Sequence, residues 1–131
     1  MTIQELQFEL MKQSTLNEFD GEEVVKSLQE HEDLWRGVIM DRASYCFHGR
    51  LGDQEDGEKI DLIKLRDIQD NCWNVDTVYL LPQEGKEDEI YKLAKKWGAN
   101  EVDWIGGQEA GSLLGSSGMK NKKQILRVWW D

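Results

Sequence analysis

Residues 77–105 read TVYLLPQEGKEDEIYKLAKKWGANEVDWI, and the fold turns on how this stretch divides. Ile90, Leu93, Ala94 and Trp97 fall at i, i+3, i+4 and i+7, the spacing that puts side chains on one face of a helix. Glu87, Asp88 and Glu89 crowd the first turn and Lys92, Lys95 and Lys96 the last, so both ends complement the helix dipole. Gly98 follows as a C-cap. Residues 86–97 are therefore read as a helix. On one side lies 77–81, a short apolar, β-leaning run ended by the only proline, Pro82; on the other, 101–105 alternates acidic with apolar residues. Both are read as strands.

Working outward toward the C-terminus, Gly106-Gly107 breaks the chain, residues 108–114 carry Ala110, Leu113 and Leu114 on a short helical run, and residues 124–131 form a last strand. The order strand, helix, strand, helix, strand with short connections predicts a compact unit in which at least two strands pair in parallel. Toward the N-terminus, Thr2 with Glu5 and Asp20 with Glu23 have capping-box spacing, each ahead of a periodic apolar run, and predict two helices. Between residues 35 and 46 the apolar positions fit a helical period, while Val38-Ile39-Met40 and Tyr45-Cys46-Phe47 also suit strands. Helix to about Ala43 is the favoured reading, with the state of 36–48 left open. Residues 49–58 read as an exposed acidic loop and 60–65 as a strand. The expected fold is α+β, or a small α/β unit: a helical N-terminal half packed on a mixed sheet, within one domain spanning 1–131.

A chain of 131 residues with 39% hydrophobic content and six tryptophans has enough apolar matter for one core without disulfides or a structural metal. Cys46 and Cys72 form no CxxC pair, and the first residues carry neither a basic nor an apolar leader. A cytoplasmic protein with reduced thiols is expected. Residues 1–70 hold 17 acidic and 8 basic side chains, whereas 71–131 hold 9 and 8, so the first half accounts for nearly all of the net charge of −10. Such a surface repels phosphate backbones and anionic lipid. Nucleic acid and membrane are not expected as partners; a basic protein is.

Few residues point to chemistry. Cys46 and His48 are two apart and on a strand would share a face, as metal ligands or a nucleophile and base must. Further ligands or an orienting group are missing from their neighbourhood, so a small buried cysteine beside a surface histidine is the preferred reading. No metal and no cofactor are expected. Residues 111–123, GSLLGSSGMKNKK, lack the spacing of a phosphate-binding P-loop. Gly106 and Gly107, between a strand and a helix, are better placed to meet an anion. Asp53, Glu55, Asp56 and Glu58 cluster in the acidic loop without the ligand order of a calcium loop. Trp129 and Trp130 are adjacent, so their side chains point to opposite faces of a strand. Either helices cover both faces or one indole is exposed, and Trp130 is the candidate anchor.

From these residues the leading expectation is a non-catalytic acidic interaction module, an adaptor, regulator or inhibitor of a basic protein partner. Asp53, Glu55, Asp56, Glu58 and Trp130 would carry the contact. The alternative is a small enzyme or ligand-binding protein with its site at the strand-to-helix turns near Pro82 and Gly106-Gly107.

Overall fold

A computed structural model describes residues 1–15, 17–43, 75–115 and 123–131. Among these, four helices pack with a four-stranded antiparallel sheet in an α+β fold. The expected strand at 60–65 lies outside the described residues.

Helix α1 (Ile3–Gln13) opens on the expected capping box: the Thr2 hydroxyl accepts from the Glu5 backbone N–H, and the Glu5 carboxylate accepts from that of Thr2. Helix α2 (Gly21–Glu30) is capped by Asp20, whose carboxylate accepts from Glu23 N–H. The two helices meet closely at Gly21, where a Cβ would overlap the Met11 carbonyl oxygen. Only glycine fits there. A single 3-10 turn (Glu32–Leu34) then leads into the sheet.

Strand β1 (Trp35–Ala43) replaces the helix favoured over this stretch from sequence. Its apolar residues satisfy two periods at once, and tertiary pairing decides between them. Val38, Ile39 and Met40 lie opposite Leu80, Tyr79 and Val78 of strand β2 (Val75–Pro82), where β-branched side chains suit the pleat. Helix α3 (Glu87–Lys95) buries Ile90, Leu93 and Ala94, with Trp97 just beyond and Gly98 at φ +73°. Strand β3 (Glu101–Ile105), helix α4 (Gly107–Leu114) and strand β4 (Ile125–Trp129) complete the described chain.

The strand order is β1-β2-β4-β3, and every neighbouring pair is antiparallel. Among the described strands the expected parallel pairing and mixed sheet are therefore corrected. β2 and β3 do run in the same direction, as a strand-helix-strand unit predicts, but β4 inserts between them antiparallel to both.

Alternation gives the sheet two faces. Val38, Met40, Val78, Leu80, Leu126 and Val128 belong to the inner one, in a single core with Val24, Val25 and Leu28 of α2 and with α3. Three indoles at the core find polar partners, as tryptophans removed from water require. Trp35 Nε1 donates to the Leu28 carbonyl, Trp97 Nε1 to Ser27 Oγ, and Trp130 Nε1 to the Trp97 carbonyl.

Candidate functional site

The outer face of the sheet is the chemically uneven one. Register sets its side chains in cross-strand rows: Thr77, Trp129 and Glu101 share one row, and Ile39, Tyr79, Arg127 and Asp103 share the next. Beyond them lie Gly37, Leu81, Ile125 and Ile105, and helix α4 buries Ala110 and Gly111.

An acidic cleft of about 580 Å³ opens over the first two rows, walled by Tyr79 and Trp129 and lined by Asp76, Glu101, Asp103, Glu109 and Arg127. Its volume lies in the range of about 300–1,000 Å³ usual for ligand sites. Four carboxylates face a single guanidinium in this lining, a formal excess of three negative charges. Arg127 is already engaged, donating to Glu101 at 2.8 Å and to Asp103 at 3.0 Å.

Asp76 differs from the other acids because it is only 5% exposed. Its carboxylate accepts from Thr77 Oγ1 at 2.7 Å and from Trp129 Nε1 at 3.2 Å. Both donors are neutral, and among the described residues no cation forms an ion pair with it. Burying a carboxylate is costly without a compensating charge, and here two neutral donors hold it in the lining of the cleft. Among the described residues no group of three or more His, Cys, Asp or Glu is gathered to hold a metal ion. The spread of acids over aromatic walls suits an organic cation, which draws on ring faces as well as carboxylates.

On the other side of this face, a groove of about 350 Å³ is lined by Gly37, Ile39, Leu81, Leu114 and Ile125. Tyr79 and Leu113 line both the groove and the cleft. Ile39, Leu113 and Leu114 are 55%, 50% and 40% exposed.

The residues singled out from sequence fall differently. Trp130 is fully buried, its ring edge-on to Phe19 at 4.7 Å, so it is no surface anchor. Of the adjacent pair, Trp129 is the one that reaches the outer face. Gly106 caps α4 and Gly107, at φ +60°, begins it, with Glu109 in the first turn and the acidic cleft alongside. These surroundings oppose an anion. Pro82 is buried, its carbonyl accepting from Arg36 Nε at 2.8 Å. Asp53, Glu55, Asp56 and Glu58, with Cys46, His48 and Cys72, lie outside the described residues.

Sequence reading passed over Asp76, Thr77, Glu101, Asp103, Glu109 and Arg127. The alternation of 101–105 already placed both of its acids on one face of a strand, but nothing local set Arg127 between them. Compared with family models, curated proteins and solved structures, the chain shows no match. Among the described residues no helix is long and apolar enough to cross a membrane.

Proposed function

We propose that the protein is a binding module that takes a cationic side chain of a basic protein partner into the cleft beside Trp129. The observation that carries this reading is the buried Asp76 carboxylate, held among the described residues by neutral donors within a cleft of excess negative charge. The exposed acids Glu101, Asp103 and Glu109 would draw the cation in, and the aromatic walls would hold it. The charge balance placed the acidic surface in the first half of the chain, whereas this cleft is built from the second.

The test follows the indole N–H resonance of Trp129, assigned with Trp129→Phe, during titration with acetyl-Gly-Lys-Gly-amide and with the same peptide carrying glutamine for lysine. The lysine peptide is expected to move this resonance saturably, and less so at high salt. No movement at millimolar concentration, or equal movement with the glutamine peptide, would refute the reading.

A further inference from the structure

The acidic cleft and the apolar groove are two compartments of opposite character that share Tyr79 and Leu113 as a common wall. From this continuity we infer that the outer face receives one extended segment of the partner, with a large aliphatic side chain in the groove and a lysine or arginine in the cleft. The inference rests on the cleft taking a cation, and adds what lies beside that cation.

Charge complementarity fixes one end of the segment, because the carboxylates cluster at the Thr77–Trp129 side of the sheet. Apolar complementarity fixes the other, because Leu81, Ile125 and Leu114 line the groove. Thr77, in the cleft, and Leu81, in the groove, are four residues apart on β2, which is about 13 Å at the rise of a strand. A partner chain extended alongside covers that distance in about four residues. Residues four apart on an extended chain also point the same way, so both side chains can face the sheet. An apolar residue followed or preceded by a basic one at that spacing is the recognition element. A lone cation would leave the groove unfilled, and a purely apolar segment would lay uncharged surface against the carboxylates.

The test is isothermal titration of the full chain with acetyl-GTLTGTKTG-amide, against peptides with leucine changed to alanine or lysine to glutamine. The parent peptide is expected to bind about tenfold more tightly than the alanine peptide, the effect of partly burying the extra methylene groups. Leu114→Ser changes a residue that lines the groove and not the cleft, and should abolish the leucine preference while keeping the lysine preference. Lysine dependence without leucine dependence would overturn this inference and leave the cleft reading standing. Leucine dependence without lysine dependence, or no binding, would overturn both. A concentration-dependent dimer in sedimentation, lost in Leu114→Ser, would show the groove covered by a second copy and also overturn the inference.

Discussion

The two faces of one sheet are built to different ends. On the inner face each strand contributes aliphatic residues, and the N–H groups of Trp35, Trp97 and Trp130 each find a carbonyl or hydroxyl. On the outer face the same strands carry Thr77, Tyr79, Glu101, Asp103, Arg127 and Trp129, and α4 leaves a cleft and a groove beside it. The inner face is closed to water, with Val78, Leu80, Leu126 and Val128 fully buried. The outer face keeps partly exposed aromatic and aliphatic surface next to a buried carboxylate, an arrangement that stability alone does not call for. The difference separates residues that hold the fold from residues available for binding, although they alternate along the same strands.

The sharpest way to break this division is to cut into the inner face. Trp130→Ala removes a fully buried ring that packs on Phe19 and hydrogen-bonds to the Trp97 carbonyl. A loss of about 3–5 kcal/mol is expected, measured by urea unfolding. A loss below about 1 kcal/mol would mean that Trp130 does not belong to the core. Gly21→Ala forces a methyl group onto the Met11 carbonyl, which is backbone and cannot rotate away. The helices must separate, at a cost of about 1–3 kcal/mol in the same assay. An unchanged midpoint would refute the close approach of α1 and α2.

Asp76→Asn tests whether the outer face divides in turn into structure and binding. Asparagine keeps one acceptor oxygen for the two donors Thr77 Oγ1 and Trp129 Nε1. It should therefore cost about 1–2 kcal/mol of stability, while the response of Trp129 to the lysine peptide disappears. Retained binding at reduced stability would make Asp76 a clamp for the last strand rather than a ligand group.

Much of the fold was legible because its signals are local. The Thr2–Glu5 box, the Asp20 cap and the charge-graded helix α3 are each decided within a few residues. Strand β1 was not, since Trp35, Val38, Ile39 and Ala43 satisfy helical spacing and only the ladder with β2 selects the other period. The insertion of β4 between β2 and β3 was hidden for the same reason: strand order depends on which edges meet. The site inherits this difficulty. Asp76, Glu101, Asp103, Arg127 and Trp129 come from three strands and meet through register, whereas the sequence drew attention to residues adjacent in the chain, such as Trp129 and Trp130 or Gly106 and Gly107.

The smallest expected change in stability is also the one that best separates the faces. Arg127 bridges Glu101 and Asp103 with its side chain 36% exposed and theirs 51% and 52%. Pairs so open to water contribute little, commonly below about 1 kcal/mol. Arg127→Gln should therefore leave the unfolding midpoint nearly unchanged while removing the guanidinium that lines the cleft. The formal excess of negative charge rises from three to four, and two carboxylates lose their cationic partner at once. If the cleft takes a cation, the lysine peptide should then bind more tightly, and its affinity should fall more steeply with salt, because more of the attraction comes from exposed charge. Titrating the variant and the native protein across a salt series reads both effects. Weaker binding to Arg127→Gln would mean that the guanidinium itself contacts the ligand, which would then carry an acceptor or an anion, and the cationic reading of the outer face would fall.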